Sequence, residues 1–155
     1  MRIRDFKIGD EEPLWTVFFS AIHETASRDY SQVQLDAWAP STINMDAWIK
    51  RIRAINPFVA ELDGEIAGYA DLQPNGYIDH FFVAGKSAGR GVGSLLMNRI
   101  HEAAKQMNIP ILTSEVSLTA RGFFERWGFT VEQPQIVRIN GVELRNFRMR
   151  KLRET

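Results

Sequence analysis

Four of the chain's eleven glycines fall between Gly85 and Gly93, in the run VAGKSAGRGVGS. What flanks this run restricts the fold more than any other feature. Before it, Tyr77 to Val83 reads as an extended, largely apolar strand. After it, Val92, Leu95, Leu96, Ile100, Ala103 and Met107 recur at helical spacing. Asn108 and Pro110 end that helix, and Ile111 to Val116 is again strand-like. Strand, glycine loop, helix and strand in this order predict a right-handed crossover joining two parallel strands. The fold class is therefore α/β.

The rest of the chain supplies antiparallel partners and covering helices. Arg2 to Lys7 alternates like an edge strand. Glu11 to Glu24 carries Leu14, Val17, Phe18, Ala21 and Ile22 at helical spacing, with Pro13 in its first turn. Ser31 can cap a short helix that Pro40 ends, and Ile43 to Ile55 is a further helix. Pro57 to Leu62 and Ile66 to Leu72 form a hairpin about Asp63-Gly64, and Pro74-Asn75-Gly76 turns the chain into the strand from Tyr77. Leu118 to Trp127 is a short helix closed by Gly128. Phe129 to Ile139 and Val142 to Leu152 make a last hairpin about Asn140-Gly141. The sum is one domain over residues 1–155, with a mixed, mostly antiparallel sheet of about seven strands, a central parallel pair and flanking helices.

A glycine loop that runs from a strand into a helix gathers unpaired backbone N–H groups at the positive end of a helix, which is an anion site. Arg90 adds a charge beside it. The spacing fails the dinucleotide fingerprint, because G-x-G-x-x-G from Gly89 ends on Ser94 and from Gly91 on Leu96. It also fails the P-loop pattern, because Val92 and Ser94 follow Gly91 and Gly93 where Lys-Ser/Thr is needed. Acidic and basic residues balance at 19 each, so the chain lacks the basic excess of a nucleic-acid or anionic-membrane binder. The absence of cysteine removes disulfides, thiolate metal sites and a cysteine nucleophile, and fits a cytoplasmic setting. The first ten residues carry no signal-peptide pattern, no apolar run approaches membrane length, and no metal site is expected.

The run Val83 to Leu96 resembles the cofactor-binding motif of the GCN5-related N-acetyltransferases, in which a strand leads into R/Q-x-x-G-x-G/A. About thirty residues on, SLTARGFFERWGF (Ser117 to Phe129) resembles that family's N-x-x-A-x-x-[FY]-Y-E-[KR]-x-G-F. The segment DYSQVQLDAWAP (Asp29 to Pro40) looks like the N-terminal part of one bacterial branch, so the resemblance spans nearly the whole chain. It implies binding of acetyl-CoA, with the pyrophosphate cradled by Ala88, Gly89, Arg90, Gly91, Val92, Gly93 and Ser94. It further implies thioester contacts from Phe81, Phe82 and Val83, and contacts from Ser117 and Phe124. Two positions depart from the pattern. Ala88 stands where the family has Arg or Gln, which leaves the backbone donors intact. Phe124 stands where a tyrosine often protonates the leaving thiolate.

Acetyl transfer requires a positioned thioester, donors for the oxyanion and a neutral amine. In several relatives a glutamate serves as base, and its place here is Tyr77, a poor base at neutral pH. Asp79 and His80 are the better candidates. Successive strand residues face opposite ways, so only one of the two should line the site unless a bulge intervenes; an ion pair for Asp79 and a packed sheet role for His80 are the competing assignments. His23, Tyr30 and Trp38, from the N-terminal helices, are the candidate acceptor contacts. Tyr30 and Trp38 would serve equally as anchors of those helices. His101 falls on a polar helix face and is expected in solvent. The expected reaction is acetyl transfer to the primary amine of a small molecule or peptide, with a homodimer as the family's common assembly. A non-catalytic acyl-CoA-binding module and a protein N-acetyltransferase are the alternatives.

Overall fold

In the computed structural model, which describes residues 1–153, eight strands form two four-stranded sheets rather than one sheet of seven. The last two residues of the expected domain lie outside the described residues. The first sheet has the order β1-β2-β3-β5, where β1 is Arg2–Asp5, β2 Phe58–Leu62, β3 Glu65–Ala70 and β5 Phe81–Val83. The second has the order β4-β6-β8-β7, with β4 Tyr77–Ile78, β6 Ile111–Ser117, β7 Thr130–Ile139 and β8 Val142–Leu152. The expected strand from Tyr77 to Val83 is thus two strands, and each belongs to a different sheet. All pairings are antiparallel except β4 with β6, where Tyr77 opposes Thr113 and Ile78 opposes Ser114.

Both expected hairpin turns form. Asp63 and Gly64 have φ of 55° and 79°, and Asn140 and Gly141 have φ of 47° and 81°. Positive φ at both central residues matches the right-handed twist of the strands they join. The turn before β4 is tighter. Gly76 has φ of 89°, and a Cβ there would stand 2.1 Å from the Ile111 carbonyl oxygen. Only glycine lets the chain cross so close to β6.

Five α-helices pack on this frame: α1 Glu11–Ser20, α2 Gln32–Trp38, α3 Met45–Ile55, α4 Val92–Gln106 and α5 Arg121–Arg126. Ser31 caps α2 through a reciprocal box with Gln34, and Asn44 caps α3 by accepting the Ala47 N–H at 3.1 Å. Leu14, Val17 and Phe18 of α1 and Ile52 and Ile55 of α3 bury one face of the first sheet over Val59 and Tyr69. On the other side Leu96, Met97 and Ile100 of α4 cover Ala60 and Ala70, and the same core continues to Leu112, Val116 and Met149 of the second sheet. Fully burying an aliphatic chain of this size stabilises the fold by about 1.5–3 kcal/mol.

The first helix is shorter than its apolar spacing predicts. It ends at Ser20, then widens through a π-turn over Ala21–Thr25 and tightens over Ala26–Arg28. The Ser20 hydroxyl donates to Val17 O and accepts the Gly85 N–H, both at 3.1 Å. The widening therefore occurs where the helix is tied to the glycine loop.

Candidate active site

The parallel pair lasts for two residues, and its end creates the cleft. The Ser114 hydroxyl donates to Ile78 O at 2.8 Å, the last tie before the strands part. Beyond it the chain turns toward β3 on one side while β6 continues beside β8 on the other. Asp71 forces the turn. Its Oδ1 accepts the N–H groups of both Asp79 (2.8 Å) and His80 (2.7 Å). Two consecutive N–H groups aimed at one carboxylate make a bulge, the geometry that lets neighbouring strand residues share a face.

Past the bulge the ladder is regular. Asp71 N–H donates to His80 O at 3.1 Å and Ala84 N–H donates to Ala67 O at 2.8 Å. Tyr69 opposes Phe82 between these two pairs. Hydrogen-bonded residues alternate along an antiparallel strand. The backbone groups of Phe81 and Val83 therefore point away from β3, into the gap left by β6.

The glycine loop closes the same gap from below. Gly89 and Gly91 have φ of 76° and 88°, the left-handed region that glycine enters without strain. Gly91 precedes α4, and no side chain caps the helix. The first-turn N–H groups are left open at the positive end of a fifteen-residue helix. Gly93 lies close against Phe123: a Cβ at 93 would stand 3.1 Å from Phe123 Cζ, so the ring would have to give way slightly.

These elements enclose a cleft of about 590 Å³. Eleven of the twelve residues expected around the cofactor line it: Phe81, Phe82, Val83, Ala88, Gly89, Gly91, Val92, Gly93, Ser94, Ser117 and Phe124. Arg90 does not. Its exposed guanidinium turns outward to Asp63, at 3.4 Å. The cleft's cations are instead Arg28 and Arg126, both exposed, and neither side chain has an ion pair or hydrogen bond among the described residues. Ser117 is partly committed, since its Oγ accepts the Ala120 N–H at 3.0 Å. The Phe124 ring is buried against Phe81 and Phe129, with centroids 5.4 and 5.1 Å away.

The two candidate bases are brought to one face by the bulge, but neither lines the cleft. Asp79 forms an ion pair with Arg51 of α3. His80 Nδ1 is hydrogen-bonded to the Tyr69 hydroxyl at 2.9 Å, and its ring sits among Phe18, Trp48, Tyr69 and Phe82. Burial pushes its imidazole down to about 4, so it is neutral at pH 7 and a weak proton acceptor. The competing assignments, an ion pair for Asp79 and a packed role for His80, describe both side chains as the fold holds them.

Of the three candidate acceptor contacts, Trp38 lines the cleft, with its ring 6.2 Å from Phe82 and 5.5 Å from Tyr30. Tyr30 is an anchor: its buried hydroxyl donates to Arg145 O at 2.6 Å and accepts the Leu118 N–H at 3.0 Å. His23 stacks on Phe19 at 4.1 Å and its Nε2 lies 2.7 Å from Ala39 O, outside the cleft. His101, expected in solvent, is half-buried, bonded to Met97 O and Lys151 and packed on Trp127.

Four residues of this region escape the sequence reading. Asp71 gave no signal, because a lone aspartate after a strand reads as a turn residue. Arg28 and Arg126 lie in helical segments where a charge reads as solvated. Phe123 carried a helical apolar signal but not its contact with Gly93. Among the described residues no group of three or more His, Cys, Asp or Glu could hold a metal ion, and no helix is long and apolar enough to cross a membrane.

Residues 26–151 match the acetyltransferase (GNAT) domain family. The chain is 33% identical over 150 residues to the uncharacterized N-acetyltransferase YafP of Escherichia coli, covering 97% of this chain and 95% of that protein. Among solved structures it is similar to a GCN5-related N-acetyltransferase from Rhodopseudomonas palustris, at 29% identity and a TM-score of 0.93, over 97% of this chain and 94% of the other. The PaiA N-acetyltransferase of Thermoplasma acidophilum, in complex with coenzyme A, shares the fold at a TM-score of 0.75 and 18% identity, over 97% of this chain and 98% of the other.

Proposed function

The chain belongs to the GNAT acetyltransferase family and is an N-acetyltransferase, and from that premise we propose that it binds acetyl-CoA in the cleft between β5 and β6 and transfers the acetyl group directly to a primary amine. One observation carries this reading: the open first-turn N–H groups of α4 and the inward-facing backbone of Phe81 and Val83 meet in a single cleft. The complex of the Thermoplasma protein with coenzyme A supports it by likeness of fold.

The residues fit an extended acyl-CoA. Open amides at the start of α4, with Arg28 and Arg126 lining the same cleft, suit a polyphosphate. The apolar walls of Phe82, Phe123 and Phe124 suit the pantetheine arm and exclude water from the acyl end. When bound, acetyl-CoA supplies the activated acyl group. Phe81 and Val83 would offer their inward-facing backbone N–H groups to the thioester carbonyl oxygen, where negative charge develops in acyl transfer. Such preorganised donors are worth about 3–4 kcal/mol of barrier each in acyl transfer. Phe124 has no proton to give, so the departing thiolate would take its proton from solvent or from the amine itself. A thiol with pKa about 8.5 leaves tolerably without a dedicated acid. The segment Asp29 to Pro40 supports placing the chain in the bacterial branch with that N-terminal sequence.

The test is coenzyme A release from acetyl-CoA, measured against a broad panel of primary amines. Release that depends on the amine is the expected result. Tight acetyl-CoA binding with no release for any amine would remove the transfer step and leave only cofactor binding.

A further inference from the structure

The bulge that occupies Asp79 and His80 leaves the amine without an obvious partner on β4 or β5. The other side of the gap supplies one. In β6 the buried residues Leu112, Ser114 and Val116 face the core under α4 and α5, so Thr113, Glu115 and Ser117 face the opposite side. Ser117 lines the cleft, while Glu115 and Asn146, like Asp79 and His80, stand outside its wall. Glu115 is two residues before it on the same face, about 6.6 Å along the strand. It is also the first residue after Ser114, whose hydroxyl makes the last tie to β4.

Glu115 is exposed and makes no ion pair or hydrogen bond among the described residues, although Arg148 stands opposite it on β8. It does lie within the field of the β4 side: the Tyr77 hydroxyl is pushed up to about 12, by burial first, then by the charges of Glu115 and Asp79. Of those two carboxylates, Asp79 is neutralised by Arg51 and Glu115 is not.

The row above adds an independent sign of a ligand. Ser117 opposes Asn146 on β8, and Asn146 opposes Gln135 on β7, so the three side chains share the face of Glu115. Asn146 Oδ1 and Gln135 Nε2 are buried and have no hydrogen-bond partner among the described residues. Buried polar atoms are nearly always paired, and an unpaired acceptor is destabilising. A donor from a bound molecule would satisfy Asn146.

We propose that Glu115 receives the ammonium of the acceptor and takes its proton, and that Asn146 Oδ1 accepts a second N–H from the same nitrogen. This rests on the acetyl-transfer reading above and assigns its amine site. The cycle balances as follows. The ammonium gives one proton to the Glu115 carboxylate, which passes it to solvent. The neutral nitrogen forms a bond to the thioester carbonyl carbon, the C–S bond breaks with its electron pair on sulfur, and the second nitrogen proton leaves to give the thiol. The acceptor is thus a primary amine that arrives as a cation.

The experiment uses the 155-residue chain saturated with coenzyme A, with binding of coenzyme A measured first by calorimetry. The sample is then titrated with n-butylamine at pH 7, and separately with 1-pentanol as its uncharged counterpart, while amide ¹H–¹⁵N shifts are followed. Saturable shifts of the Glu115 and Ser117 amides and the Asn146 side-chain amide are expected with the amine and not with the alcohol. Glu115→Gln should weaken the amine at least tenfold, Glu115→Asp should restore it to within about threefold, and Asn146→Leu should weaken it less than Glu115→Gln. Unchanged coenzyme A affinity in each variant shows that the fold is intact. If coenzyme A binds but the amine produces no saturable shift at these residues, or Glu115→Gln binds it as well as the parent does, the assignment of Glu115 is overturned. If coenzyme A does not bind, the acetyl-transfer reading itself falls, and this assignment with it.

Discussion

Asp71 and His80 are joined twice: Asp71 N–H donates to His80 O at 3.1 Å, and Asp71 Oδ1 accepts the His80 N–H at 2.7 Å. A side chain thereby takes the place of a backbone acceptor, and the chain between β4 and β5 is bent from one sheet into the other. Asp71 is fully buried, and burial pushes its carboxyl up to about 6 from an ordinary 3.8, against the hydrogen bonds from His80 and Gln73 that favour the charge.

A group with a raised folded-state pKa stabilises the fold fully below its unfolded value and loses that contribution as pH rises through the folded value. The window for Asp71 runs from about pH 4 to about pH 6. Asp71→Asn keeps one oxygen acceptor and cannot ionise. Relative to the parent, its stability should rise by roughly 2–3 kcal/mol between pH 4 and pH 7, on top of any constant offset. Urea unfolding of both proteins across that range measures the difference, and a pH-independent difference would show that Asp71 does not titrate in the window.

Gly76 and Gly64 separate backbone strain from close approach. Both have positive φ, 89° and 79°, but a Cβ at 76 would meet Ile111 O at 2.1 Å, whereas nothing lies within 4 Å of one at 64. Gly64→Ala should cost only the left-handed strain, about 1–2 kcal/mol. Gly76→Ala adds a backbone clash at the crossing between β4 and β6 and should cost roughly 3 kcal/mol or more. Urea midpoints at unchanged m report both. Equal costs would mean that the crossing is looser than described.

Phe124→Tyr restores the hydroxyl that relatives place at the leaving group. The ring lines the cleft and packs on Phe81, so acetyl-CoA affinity should stay within about twofold. The rate should rise by roughly tenfold, below the ~10²–10⁴ of a fully positioned acid, because the thiolate leaves tolerably unaided. Single-turnover kinetics on any amine that supports coenzyme A release provide the check.

What the sequence could reveal follows from how local each feature is. The two turn dipeptides, Asp63-Gly64 and Asn140-Gly141, demand positive φ within two residues, and both turns form where expected. The glycine loop and the start of α4 are equally local. The split of Tyr77 to Val83 into two strands is not: it depends on Asp71, which meets Asp79 and His80 only after β3 and β5 have paired. The same holds for Tyr30: the sequence allows it as acceptor contact or as anchor, and its hydroxyl's partners, Leu118 and Arg145, lie far along the chain. Arg90 carried the right charge in the right motif, yet its side chain has room to turn outward to Asp63. An exposed glutamate in a strand has no sequence pattern of its own, and Glu115 takes its meaning from the point at which β4 and β6 part.

Every proposal above requires that the cleft closed by Gly89, Gly91 and the start of α4 hold the phosphates of acetyl-CoA. Titration calorimetry of acetyl-CoA into the parent protein and into Gly91→Asp tests it most directly, with matched unfolding midpoints or circular dichroism to show that both are folded. A carboxylate set among open N–H groups at a helix start would occupy and repel the anion. Measurable binding to the parent and a loss of at least a hundredfold in the variant are expected. Equal affinity for the two proteins, or no binding to the folded parent, would contradict it.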